Sequence, residues 1–226
     1  GIPVNPRISH LQQEDPKDLR RELGWDENLT PILVVGSPRM YNLGELLPAL
    51  DQSEASFQLI LVAGGNEALH DQIQRTDWQH PTHIYNFVDD LPMMMGASGM
   101  VICKAGGLIV TESLASSLPL LLVDALPGPE IGNMDYVVSK GAGEFHTSPA
   151  DVRDCVTRWF ANDEEMLKQL AENAEKIGKP RAAFEIIDES WKILEQGPVE
   201  RTYRPWLAHQ RSLQELLAKF NIKIND

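Results

Sequence analysis

The stretch Met100-Val-Ile-Cys-Lys-Ala-Gly-Gly-Leu-Ile-Val-Thr-Glu112 decides how this chain folds. An apolar run breaks at Gly106 and Gly107, and a helical pattern follows. Eight residues after Glu112 a second apolar run begins, Leu120-Leu-Leu-Val123, followed by Asp124. Strand, glycine turn, helix and strand in that order describe a parallel sheet with a helical crossover.

The same alternation extends in both directions. Strand-like runs occupy 31–36, 57–63 and 82–87, with helical patterns over 41–52, 67–75 and 91–97 between them and the central stretch, whose own helix spans 108–117. The strands are almost continuously apolar, which is the mark of a sheet covered on both faces. The expected fold is therefore α/β, a Rossmann-like doubly wound parallel sheet. After residue 148 the pattern becomes purely helical, near 149–160, 163–177, 182–195 and 206–220. These form additional C-terminal helices.

Open parallel sheets bind ligands at the carboxyl ends of their strands, and the chemistry of the central stretch suits a phosphate. Glycines keep side chains away from a ligand and permit a tight turn in angles closed to other residues. The helix that follows presents unpaired N–H groups and a positive dipole end. Glu112 lies five residues past Gly107, roughly 7–8 Å along the helix axis. An ionised carboxylate offers two acceptor oxygens to a vicinal diol such as that of ribose. Two readings are open for these residues alone. They form a diphosphate and ribose site, or they are a plain strand-to-helix turn followed by a glutamate that the dipole favours anyway.

Composition narrows the partners. The chain has 226 residues, 42% of them hydrophobic, and a net charge of −13. That charge argues against nucleic acid and against electrostatic adhesion to anionic lipid. No apolar run reaches the length of a membrane span. Two cysteines, Cys103 and Cys155, make neither a disulfide framework nor a paired-cysteine metal site. The expected setting is cytoplasmic. The six histidines lack metal-ligand spacing and no D-x-D pattern occurs, so no metal is expected. His80 and His83 flank Pro81 in a loop and read as solvated.

Several ordered motifs carry a family resemblance. Phe87-Val-Asp-Asp-Leu-Pro92, Lys104-Ala-Gly-Gly-Leu-Ile-Val-Thr-Glu112, Pro127-Gly-Pro-Glu-Ile-Gly-Asn133 and Tyr136-Val-Val-Ser-Lys-Gly-Ala-Gly143 together resemble GT-B glycosyltransferases. Specifically, they are similar to the C-terminal donor half of the group that contains monogalactosyldiacylglycerol synthases, processive diacylglycerol glucosyltransferases and the bacterial muramyl-pentapeptide N-acetylglucosaminyltransferase. The resemblance implies an inverting hexosyl transfer from a UDP-sugar to a lipid such as diacylglycerol, with no cofactor.

It also implies roles for individual residues. The backbone at Phe87 and Val88 would meet the uracil edge, and Glu112 the ribose hydroxyls. Gly106, Gly107 and Leu108 would line the diphosphate, with Lys104 adding positive charge. Glu130, Gly132 and Asn133 would face the sugar and its neighbouring phosphate, though Asn133 also reads as the cap of a following helix. Gly65 and Asn66 keep the small residue and amide of the relatives. The chain departs from the family pattern at Gly36-Ser-Pro-Arg-Met40, where a glycine-rich loop is usual and Pro38 removes an N–H. There Ser37 and Arg39 would substitute hydroxyl and guanidinium donors. Ile109 stands where a threonine is common.

By the same resemblance, 1–20 is an interdomain linker, 21–197 the donor-binding domain, and 198–226 a helical tail that packs on an N-terminal domain preceding Gly1. That other domain would bring the lipid acceptor, the catalytic base and any peripheral contact with a membrane, so the chain alone is expected to be inactive. A noncatalytic nucleotide-sugar sensor and a UDP-sugar epimerase of the same architecture are the alternative readings.

Overall fold

The computed structural model describes residues 2–40 and 42–197. Two short helices come first, α1 (Arg7–Leu11) and α2 (Pro16–Leu23). Strands and helices then alternate as β1 (Pro31–Val35), α3 (Leu43–Leu50), β2 (Gln58–Val62), α4 (Glu67–Gln74), β3 (Thr82–Tyr85) and α5 (Leu91–Ala97). The second half runs β4 (Met100–Lys104), α6 (Gly107–Ala115), β5 (Leu120–Asp124), α7 (Pro129–Ser139) and β6 (Gly143–Phe145). Helices α8 (Pro149–Trp159), α9 (Ala161–Ile177) and α10 (Ala182–Glu195) follow.

The six strands form one parallel sheet in the order β3-β2-β1-β4-β5-β6. From β1 the chain winds outward through β2 to β3, then returns to lay β4 on the other side of β1. This reversal opens a crevice beyond the carboxyl ends of β1 and β4. Between β4 and β5 the register slips at Cys103/Lys104, so that Cys103 faces Leu122 while Lys104 faces Asp124.

Alternate residues of each strand feed two cores, which is why the strands read as unbroken apolar runs. Ile32, Val34, Leu59, Leu61, Ile102 and Leu121 pack with α3 and with Trp159 of α8. Leu33, Ile60, Val101, Cys103 and Leu122 pack with Met94, Met95, Val110 and Val137 on the other face. Polar side chains start the helices. Asp15, Asn66, Asp90 and Ser148 each accept a backbone N–H of the first turn of α2, α4, α5 and α8.

The segment 1–20 carries α1 and most of α2, and both pack on α5 with Ile8 and Leu19 buried. His80 is not solvated. Its side chain is 13% exposed, its Nδ1 lies 3.0 Å from Asp51 and its Nε2 3.0 Å from the Ala55 carbonyl oxygen. The ring also stacks on Phe57 at 4.0 Å. Its position between a buried carboxylate and an aromatic face arises from the packing of α3 against the β3 entry, which no local pattern encodes.

The chain divides into two units, Gly1–Ile187 and Asp188–Asp226. The first holds the sheet. In the second, the described residues form the end of α10, where Trp191 donates to Glu195 at 2.9 Å and Lys192 to Glu189 at 2.6 Å. The helix expected at 206–220 and the tail 198–226 lie outside the described residues.

Candidate functional site

The crevice is built from the loops that leave β1, β2, β3, β4 and β5, and its floor is backbone. Gly36 ends β1 so close to β2 that a β-carbon there would lie 3.0 Å from the Ala63 carbonyl oxygen. Beyond it Ser37 presents a buried Oγ that has no hydrogen-bond partner. Arg39 is exposed. Asn42 reaches across to donate from Nδ2 to the Val123 carbonyl at the end of β5, 2.9 Å away, and its own Oδ1 is buried and unpaired. On the other flank Asn86 donates to Glu67 at 2.8 Å and keeps a third buried, unpaired oxygen. An unpaired buried polar atom is costly. Ser37, Asn42 and Asn86 all sit in loops at the carboxyl edge, as expected of a surface that receives a polar ligand.

At the centre stands the turn from β4 into α6. Gly106 has φ −67° and ψ 139° and is the residue before the helix. It therefore does not use the angles reserved for glycine, contrary to the sequence reading. What it supplies is room. The nearest atoms to a β-carbon at Gly106 would be Ile109 Cγ2 at 3.5 Å, Lys104 Cε at 3.7 Å and Glu130 Oε1 at 3.9 Å. The first intrahelical bond of α6 runs from Val110 N–H to the Gly106 carbonyl, so the N–H groups of Gly107, Leu108 and Ile109 have no acceptor within the helix. They face outward from the helix start with the positive end of its dipole.

Glu112 follows one turn below Leu108 on the same helix face, and Leu108 is 56% exposed. The Glu112 side chain is half-buried, and burial pushes its carboxyl up from the usual range. Among the described residues no donor reaches it. A half-buried carboxylate without a partner beside an open helix start is the arrangement that a diol would complete.

Lys104 is not the solvated strand-edge lysine that composition alone allows. Its Nζ lies 2.5 Å from Glu130 Oε1, and the two side chains are only 17% and 15% exposed. Glu130 also accepts the Leu126 N–H at 2.8 Å. Burial opposes the Glu130 charge, but the bonds from Lys104 and Leu126 and the nearby charge of Arg39 outweigh it and hold its carboxyl below the usual range. Asn133 does not cap a following helix, because α7 already begins at Pro129 and is preceded by Gly128 at φ 104°. Asn133 stands in the second turn and donates from Nδ2 to the Ala105 carbonyl at 2.9 Å. It thus ties α7 to the glycine turn, and Gly132 lies beside it in the same helix.

The remaining expected residues lie along the same edge. Phe87 is 70% exposed just past β3, while Val88 packs against the core. Gly65 donates its N–H to the Asn86 carbonyl at 3.1 Å, and Asn66 spends its Oδ1 capping α4 through Leu69 N–H at 3.1 Å. Asn66 therefore acts as a structural cap in this state. Asn42 and Asn86 were not visible as site residues, because only the tertiary fold shows that their oxygens lack partners. Ile2, from the segment read as a linker, borders the glycine turn. Its Cδ1 lies 3.4 Å from where a β-carbon on Gly107 would stand.

A second polar cluster, Glu144, His146 and Cys155, brings potential metal ligands within 4.8 Å of one another. The donor set does not suit a cation. The Glu144 carboxylate already accepts from Arg158 Nη1 at 2.8 Å and Nη2 at 2.9 Å, from Trp159 Nε1 at 3.0 Å, and faces His146 Nε2 at 2.9 Å. Burial and the Glu144 charge push the Cys155 thiol up to about 12, which keeps it protonated. A cavity of about 640 Å³, lined by Arg20, Thr30, Gly99, Leu118 and Glu164 among others, opens at the opposite, amino-terminal edge of the sheet and is separate from the crevice.

Residues 32–184 match the family described as Glycosyltransferase family 28 C-terminal domain. Monogalactosyldiacylglycerol synthase 3, chloroplastic, of Arabidopsis thaliana is 34% identical over 204 residues, which are 87% of this chain and 44% of that protein. The chain thus spans less than half the length of that relative. Among solved structures, Acinetobacter baumannii MurG superposes with a TM-score of 0.65 at 21% identity, over 80% of this chain and 54% of the other. Anabaena Alr3699/HepE, crystallised in complex with UDP-glucose, superposes with a TM-score of 0.58 at 21% identity, over 80% and 51%.

Proposed function

As this chain belongs to the glycosyltransferase family 28 C-terminal domain family, we propose that it is the UDP-sugar-binding half of a GT-B enzyme that transfers a hexose to a lipid acceptor such as diacylglycerol. The observation that carries the reading is the unpartnered, half-buried Glu112 beside the side-chain-free start of α6. The names of relatives point the same way, since one is a galactolipid synthase and one fold neighbour was solved with UDP-glucose.

In this reading the N–H groups of Gly107, Leu108 and Ile109 hold the diphosphate, and Glu112 takes the ribose diol. The backbone at Phe87 and Val88 meets uracil, with Gly65 and Asn66 on the same flank. Ser37 turns its unpaired Oγ, and Arg39 its guanidinium, toward the phosphates. Negative charge that develops on the departing UDP meets the helix start, Lys104 and Arg39. An acceptor hydroxyl attacks the anomeric carbon from the opposite face, which inverts its configuration. The base that takes the hydroxyl proton, the acceptor site and any membrane contact belong to the N-terminal domain of the longer protein, and no helix among the described residues is long and apolar enough to cross a membrane.

Calorimetric titration with UDP, UDP-glucose, UDP-galactose and UDP-N-acetylglucosamine tests the reading. UDP should bind, Glu112→Ala should abolish binding, and the order of the sugars should name the donor. Absence of binding to the chain and to the full-length protein would overturn it.

A further inference from the structure

The diphosphate subsite already contains an anion. The Glu130 carboxylate sits 3.9 Å from the β-carbon position of Gly106 and 2.5 Å from Lys104 Nζ. This is the space beside the glycine turn that the proposed site assigns to phosphate, and Lys104 is the cation assigned to it. Arg39 also contributes its charge to Glu130. We infer that Glu130 is a displaceable plug: it holds Lys104 in the empty site, yields the lysine to the incoming diphosphate, and is released to bind the hydroxyls of the attached sugar. The inference rests on the donor-site reading above.

The energetics give the exchange its direction. A diphosphate brings more charge to Lys104 than one carboxylate does, in a place where both side chains are largely withdrawn from water. Glu130 keeps the Leu126 N–H when the lysine leaves, but its Oε1 then lacks a donor, and a carboxylate oxygen largely withdrawn from water and left unpaired is unfavourable. Hexose hydroxyls are the donors that can replace the lysine. UDP alone breaks the ion pair without replacing it, whereas UDP-hexose breaks it and satisfies both partners. Lys104 and Glu130 therefore couple recognition of the sugar to recognition of the phosphates, and the enzyme distinguishes its donor from the UDP it must release.

The test is a double-mutant cycle by calorimetry on the chain, with Glu130→Gln, Lys104→Met and the double variant, each titrated with UDP and with the UDP-hexose that wild type prefers. Glutamine keeps an acceptor for Leu126 N–H but no charge for Lys104. Glu130→Gln should tighten UDP by about fivefold to tenfold, the scale of one charge-assisted hydrogen bond, and should erase the preference for UDP-hexose over UDP. Lys104→Met should weaken UDP, and in its background Glu130→Gln should leave UDP affinity unchanged while still weakening UDP-hexose, whose hydroxyls lose the carboxylate. If Glu130→Gln leaves UDP binding unchanged or weakens it, or tightens it equally without Lys104, the plug is refuted while the Glu112-dependent donor site stands. If UDP binds none of the four proteins, either as the chain or in the full-length protein, the donor-site reading falls and this inference falls with it.

Discussion

A β-carbon on Gly64 would lie 2.2 Å from the carbonyl oxygen of Gly36, so the turns that follow β2 and β1 meet through backbone alone. Gly64 also holds φ +65°, which disfavours any other residue. Gly64→Ala should therefore lower stability by about 3 kcal/mol or more, read as a drop in thermal denaturation midpoint. Its neighbour provides the control. Gly65 has φ +79° with nothing within 4 Å of its β-carbon position, so Gly65→Ala should cost only the backbone term, about 1 kcal/mol.

Gly106 predicts the opposite pattern. Its backbone angles suit any residue, and no atom lies within 3.4 Å of a β-carbon placed there. Gly106→Ala should melt within about 0.5 kcal/mol of wild type and yet bind UDP at least about tenfold more weakly, because the methyl group takes the space of a phosphate oxygen. Equal UDP affinity in calorimetry would place the phosphate elsewhere.

Burial raises the Glu112 carboxyl above its unfolded range, so its charge costs stability wherever it is ionised. The folded state binds the extra proton, and stability attributable to this group declines as pH rises through its folded pKa. Glu112→Gln should accordingly raise the melting midpoint at pH 7 by about 1–2 °C while removing UDP binding. The gain should shrink as pH is lowered into the ordinary carboxyl range and the wild-type group takes up its proton. A constant gain across that range would show that ionisation is not its cause.

Glu144 runs the other way. The Arg158 hydrogen bonds, set against burial and aided by His146 and Trp159, lower its carboxyl from 4.5 to about 2. Its stabilisation is complete above the unfolded value and is lost as pH falls toward about 2. Glu144→Gln should destabilise the chain at pH 7 by about 2 kcal/mol, and the difference from wild type should close during acid titration. UDP affinity should not change, because the cluster joins β6 to α8 rather than lining the crevice.

What could be read before the fold was known follows from which features are local. The apolar runs at 31–36, 57–63 and 100–103 became β1, β2 and β4 because burial on both faces needs no information beyond each segment itself. Asp90 caps α5 just before Pro92 by the same kind of local chemistry. Three elements escaped. Helices α1 and α2 are short, and α2 has one buried residue, Leu19. Strand β6 spans Gly143–Phe145 and includes no run long enough to alternate. In the site, Gly106, Gly107 and Glu112 were legible as residue types at a fixed spacing. The pairing of Lys104 with Glu130, 26 residues apart, was not, because it depends on α7 starting at Pro129 and turning its first turn back over β4. The same early start moved Asn133 from a cap to a strut.

The one-residue slip between β4 and β5 separates the in-step ladder from the segment that leads to α7. Up to Cys103 and Leu122 the two strands are locked in step; past that point Lys104 faces Asp124 and the spare residue has been absorbed. A length change in the segment that leads to Pro129 need not propagate into the sheet, because the ladder has already let go of it. On the donor-site reading proposed above, descendants of one scaffold can thus exchange the loop before α7 as a cassette, leaving the start of α6 in place while the preference among hexoses changes.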